Sequence, residues 1–72
     1  METPDHTIHA EEGRYVVRVG KDEAGYVWED AERPGHWILE DVEGKVMGQS
    51  ESLEKAAAFL ATWFVAEETD WI

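Results

Sequence analysis

The stretch RYVVRVGKDEAGYVWEDAERPGHWILED, residues 14–41, carries a period-two alternation broken by two reversals. In RYVVRVG (14–20), Tyr15, Val17 and Val19 fall on one face and Val16 and Arg18 on the other. β-branched and aromatic residues at this period predict a strand. GKDEAG (20–25) is turn chemistry bounded by glycines. YVWED (26–30) reads as the returning strand, which makes residues 14–30 a hairpin. In ERPGH (32–36), Pro34 presets φ and Gly35 accepts a positive value, so a second reversal is expected there. HWILED (36–41) follows as a third strand, with Trp37 and Leu39 on one face and Ile38 on the other.

Downstream, VEGKV predicts a tight reversal at Glu43-Gly44, and KVMGQ (45–49) a short fourth strand with Gly48 in its interior. SESLEKAAAFLATWFVAEE then changes period. Leu53, Ala56, Ala57, Leu60, Trp63 and Phe64 recur at helical spacing, predicting a helix over about residues 52–66. Ser50 or Ser52 can cap it, Glu51 and Glu54 suit the positive end of its dipole, and the triple alanine favours helix intrinsically. Upstream, residues 1–12 are polar and aperiodic and are expected to form a flexible arm. The expected fold is α+β: residues 13–72 as a single domain, with an antiparallel sheet of three or four strands and one C-terminal helix packed on one face.

With 72 residues and no cysteine, the chain has neither disulfides nor thiolate metal ligands to staple a small core. Its four tryptophans, two tyrosines and two phenylalanines are expected to supply most of that core. Self-association is the remaining staple, and Trp71 and Ile72 either fold back on the sheet or join two copies as a homodimer. The N-terminus lacks the basic-then-apolar pattern of a signal peptide. AAAFLATWFVA is too short for a bilayer, which needs about 20 apolar residues. A cytoplasmic protein with no membrane contact is the expectation.

Charge dominates the composition. Seventeen acidic against six basic residues leave a net charge of −11, which drives the chain away from nucleic acid and anionic lipid. Two readings of that acidity stand: a solubilising surface, or a surface for a basic partner. The acids concentrate in WEDAERPGHWILEDVEG (28–44), where Glu29, Asp30, Glu32, Glu40, Asp41 and Glu43 are offset only by Arg33. Like charges on neighbouring strands repel, so a cationic partner that relieves the repulsion would give them a purpose. Glu29, Asp30, Glu32, Glu40, Asp41 and Glu43, with Trp37 as an aromatic anchor, are the expected partner-binding residues. As exposed residues, Glu40, Asp41 and Glu43 should tolerate charge reversal without loss of the fold.

Catalytic chemistry finds little support. His6 and His9 in HTIHAEE form a weak H-x-x-H pattern in the expected arm, and His36 sits beside the Pro-Gly turn. Ser50 and Ser52 read as helix-start residues and Trp63 as core. Abundant carboxylates without an apolar cleft do not make a general acid, and the six glycines are scattered among turns rather than gathered in a phosphate loop. No metal, cofactor or enzymatic role is expected.

With the turns placed, YVVRVGKDEAGYVWEDAERPGHW followed by SESLEKAAAFLATW resembles the N-terminal domain of HicB-type antitoxins. Lys21-Asp22-Glu23-Ala24-Gly25-Tyr26-Val27 matches the family's KDEDG-like turn and following strand. Glu32-Arg33-Pro34-Gly35 matches its acid-x-Pro-Gly turn, and Ser52-Leu53-Glu54-Lys55-Ala56 its TLEEA-like helix start. The chain differs by inserting ILEDVEGKVM (38–47) before the helix. It also ends soon after the helix, from which we expect no DNA-binding module and no autorepression. The resemblance implies a fold that blocks a small basic RNA-cleaving toxin. In kind, the chain is also similar to small acidic phage-encoded inhibitors of the anti-CRISPR and DNA-mimic type. The function implied is a non-enzymatic inhibitor covering the basic nucleic-acid site of a nuclease or DNA/RNA-binding protein, without touching nucleic acid directly. The alternative is a small acidic structural or subunit-interaction module.

Overall fold

A computed structural model describes residues 5–69 of the chain. Five strands, β1 (Thr7–Glu11), β2 (Arg14–Val19), β3 (Asp22–Glu29), β4 (Trp37–Glu40) and β5 (Val46–Ser50), precede one helix, α1 (Leu53–Thr69). The strands form a single antiparallel sheet in the order β1-β2-β3-β4-β5, and α1 packs on one face of it. The fold is α+β with one C-terminal helix, as the sequence implies, but the sheet has five strands.

The fifth strand comes from the expected arm. Residues 7–11 pair with β2 from Thr7 opposite Arg18 to Glu11 opposite Arg14, closed by Glu12-Gly13 with Gly13 at φ 73°. Only Ile8 of β1 packs against the core, so the strand has no apolar alternation to betray it. Its formation rests on backbone pairing. β3 also starts earlier than expected, at Asp22, because the reversal needs only Gly20-Lys21 between paired Val19 and Asp22. Gly20 has φ 62° and no non-glycine residue among those described has positive φ, the sign pattern of a type II′ hairpin. The Pro-Gly turn is as read: Arg33 O accepts His36 N–H at 3.0 Å across Pro34 and Gly35, and Gly35 has φ 88°.

Ser52 is the N-cap. Its Oγ accepts Lys55 N–H at 3.0 Å and its carbonyl accepts Ala56 N–H at 3.0 Å. The helix lowers Ala56, Ala57 and Leu60 onto Val17, Ala24, Val27 and Leu39, all buried. Fully burying a Val or Leu side chain contributes about 1.5–3 kcal/mol, and Leu60, Val17 and Val27 do so at the centre of this layer. Gly25 sets the spacing. A β-carbon there would lie 2.8 Å from Leu60 Cδ2 and 2.6 Å from the Glu40 carbonyl oxygen. Only a residue without a side chain lets the helix settle this close.

That close approach corrects the expectation of an aromatic core. Alanine, valine and leucine fill the centre, while Tyr15, Trp37 and Phe64 are half-buried at its margin and Phe59 is exposed. Rings do not fit between a Gly/Ala strand and an Ala-rich helix. Tyr15 and Trp37 instead meet edge to face at the helix-covered side, with ring centroids 5.9 Å apart. No helix among the described residues is long and apolar enough to cross a membrane. Trp71 and Ile72, the expected dimer contacts, lie outside the described residues.

Candidate functional site

The acidic hairpin divides into two turns with different chemistry. At the β3–β4 end, Asp30 Oδ1 accepts Glu32 N–H at 2.9 Å and Glu29 Oε2 accepts Gly35 N–H at 3.1 Å. The Asp30 carbonyl accepts Arg33 N–H at 3.2 Å, and Asp30 N–H donates to the His36 carbonyl at 2.8 Å. Here the carboxylates shape the loop: an Asp side chain that bonds the backbone two residues on imitates a turn of the chain.

At the β4–β5 end, Asp41 does more. Its Oδ1 accepts both Glu43 N–H and Lys45 N–H at 2.9 Å, while its backbone closes on the Lys45 carbonyl at 2.9 Å and on Gly44 N–H at 3.0 Å. The residue is 9% exposed, the one buried polar residue among those described. This corrects the picture of an exposed Asp41: it is the internal anchor of its turn.

β4 lies between the two turns. Glu29 sits opposite Trp37, four residues before Asp41, so the two acidic groups are separated by about 13 Å along the strand at ~3.3 Å per residue. Glu40 points to the sheet face away from the helix, pairing with Arg14 at 3.9 Å, and its side chain is 19% exposed. Trp37 lies on the helix-covered face, packed against the core. The structure therefore does not gather Glu29, Asp30, Glu32, Trp37, Glu40, Asp41 and Glu43 into one patch. Among the described residues, only Glu32 and Glu43 of the seven are exposed with no side-chain hydrogen bond or ion pair.

A different grouping forms where the β4–β5 turn meets the last turns of α1. Asp41, Val42, Glu43 and Lys45 from the turn, with Trp63, Phe64 and Glu67 from the helix, line an open cleft of about 430 Å³. Trp63, read from sequence as core, is half-exposed here. Two aromatic rings stand beside three acids and one lysine, an environment suited to a cationic side chain lying along a ring face with a carboxylate near its charge. Glu67 follows Trp63 by four residues and so shares its flank of α1. Which turn that flank would meet is tertiary information the sequence does not carry.

The opposite sheet face is closed upon itself. Arg14 Cζ lies 3.9 Å from the Tyr26 ring centroid, Tyr26 Oη donates to Glu23 Oε1 at 2.7 Å, and Arg18 pairs with Glu23 at 3.6 Å. The pKa of the Tyr26 hydroxyl is raised above its ordinary value, chiefly by that hydrogen bond to Glu23, then by burial and the Glu23 charge, with Arg14 opposing. Val16 is buried in this layer without help from the helix. His9 Nε2 lies 2.9 Å from Thr7 Oγ1, and no three His, Asp or Glu side chains among the described residues converge as metal ligands. Comparison with known protein families, curated proteins and solved structures finds no match to this chain.

Proposed function

We propose that this protein is a non-enzymatic, acidic, cytoplasmic inhibitor that occupies the basic nucleic-acid site of a partner, a nuclease or DNA/RNA-binding protein. Such a role is antitoxin-like, in the manner the HicB resemblance implies, or akin to phage anti-defence inhibitors. The supporting observation is the cleft between the β4–β5 turn and α1, where Glu43 and Glu67 stand beside Trp63 and Phe64. Among the described residues Glu43 and Glu67 make no ion pair, so their charge is available to a partner. The net charge of −11 steers a basic protein toward the molecule and penalises anionic competitors. Once engaged, an arginine or lysine would lie against the rings, where loss of water strengthens the contact. The second reading, a subunit-interaction module, draws support from the uncharged edge strand β5.

The test begins with affinity purification of partners from the native host. A captured basic protein must lose nucleic-acid binding when this protein is added. Glu43→Lys with Glu67→Lys should slow association at least tenfold at low salt and flatten its salt dependence, while Trp63→Ala should mainly speed dissociation. Glu32→Lys, on the distant turn, is the control. A captured protein whose nucleic-acid binding is undisturbed, or one equally well bound by the Glu43/Glu67 reversal, refutes this function.

A further inference from the structure

Among the described residues the sheet ends at β5, whose outer backbone groups have no strand beside them. Edge strands usually carry charge or proline to discourage pairing. β5 reads VMGQS and is the one strand here without an acidic or basic residue. The exposed large apolar residues cluster around it: Val46 is 57% exposed on the strand, and Phe59 is 51% exposed on the adjoining helix flank. Between strand and helix runs a groove of about 330 Å³ lined by Leu39, Met47, Gly48, Gln49, Lys55 and Phe59, with Ser50 at its end.

We infer that β5 is a homodimer edge, pairing antiparallel with β5 of a second copy across a two-fold axis at Gly48. The charge pattern selects this occupant. A net charge of −11 opposes self-association over most of the surface, but the edge is flanked by Lys45 before the strand and by Glu51 and Lys55 after it. Lys55 Nζ already lies 3.8 Å from Glu51 Oε2. Antiparallel self-pairing about residue 48 sets Val46 against the partner's Ser50 and Met47 against the partner's Gln49. One step further out, Lys45 faces the partner's Glu51, twice over by symmetry. Each end of the seam then reads Lys–Glu–Lys, favourable where the rest of the molecule is repulsive.

Gly48 suits the axis. With no side chain it presents nothing at the axis for its symmetry mate to clash with, and a β-carbon there would meet nothing within 4 Å of its own fold, so no internal contact requires the glycine. Both copies would present α1 on the same face of a continuous ten-stranded sheet, and the two Phe59 rings would flank the grooves along the seam. The bulge that falls between the Leu39–Gly48 and Glu40–Val46 pairs keeps the paired segment short. The contact is smaller than a standard interface, and its dissociation constant belongs in the micromolar range.

Sedimentation equilibrium of the full chain from low to high micromolar concentration tests the inference. Wild type should show a concentration-dependent monomer–dimer equilibrium. Lys45→Glu and Glu51→Lys should each weaken it about tenfold, since each sets like charges together at both ends of the seam. The double variant Lys45→Glu/Glu51→Lys should restore it, which a change in folding alone would not produce. Phe59→Glu, at an exposed position, should weaken it as well. A wild type that stays monomeric throughout overturns the inference. So does a dimer indifferent to the single charge variants, a double variant that fails to recover, or a dimer abolished only by deleting residues 70–72.

Discussion

Replacing Asp41 by alanine isolates the one carboxylate on which the β4–β5 reversal depends. The substitution removes the acceptor for Glu43 N–H and Lys45 N–H, both at 2.9 Å, in a residue only 9% exposed. Hydrogen bonds to a charged group contribute about 1.5–3 kcal/mol each. The turn lies at the surface, so water recovers part of that loss, leaving an expected cost of about 2–3 kcal/mol. A domain of this size holds roughly 4–11 kcal/mol in total, and each kcal/mol shifts its melting temperature by about 4–8 °C. Asp41→Ala should therefore melt about 10–20 °C below wild type by far-ultraviolet circular dichroism. Asp41→Asn, which keeps an acceptor oxygen without the charge, should lose about half as much. Glu43→Gln, at an exposed carboxylate with no internal partner, should stay within about 0.5 kcal/mol. If Asp41→Ala melts within a few degrees of wild type, the buried carboxylate does not hold the turn and the reasoning fails.

Gly25→Ala should cost about 1–3 kcal/mol in urea unfolding, because the new β-carbon would sit 2.6 Å from a backbone oxygen and 2.8 Å from Leu60, and overpacking of this kind forces the helix off the sheet; a wild-type midpoint would mean that the contact is not made. Tyr26 binds its proton more tightly folded than unfolded, so its contribution to stability is fully present below pH 10.0 and is lost as pH rises through the raised folded value. Tyr26→Phe should therefore flatten the alkaline limb of the stability curve. An unchanged limb would show that the Tyr26–Glu23 hydrogen bond does not form.

The legible parts of the fold were those in which side chains alternate in contrast. Val17 and Val19 pack on the helix-covered face and Leu39 joins them from β4, as period two implies. The helix stripe was equally clear because Leu53, Ala56, Ala57, Leu60 and Phe64 all contact the same core. β1 was not legible: four of its five residues are exposed, and its register is carried by backbone bonds that composition does not encode. The early start of β3 was masked by Asp22 and Glu23, polar residues that read as turn, and by Gly25, a turn signal in sequence but a packing device in space. The site was only half legible. Acid density singled out the hairpin, but density does not reveal which carboxylates turn inward onto backbone amides. Neither does it reveal which helix flank closes over which turn.

The repulsion that such a hairpin should suffer is largely avoided by register. Across the ladder Glu29 faces Trp37, and Glu40 faces Tyr26 on one side and Val46 on the other, so no two carboxylates stand directly opposite. Glu29, Asp30 and Asp41 spend their charge on turn amides, which a neutral side chain would bond less strongly. Glu40 is answered by Arg14. The fold therefore accounts for these four acids, and they are no argument for a partner. Glu32, Glu43 and Glu67 remain without an internal counterion among the described residues. Of these, Glu43 and Glu67 lie beside exposed aromatic surface while Glu32 does not. Solubility would be served by acids anywhere on the surface. Unneutralised acids bordering two half-exposed rings carry a cost in hydration of apolar surface that solubility does not require, and a cationic partner seated in that cleft would relieve both the charge and the exposed rings at once.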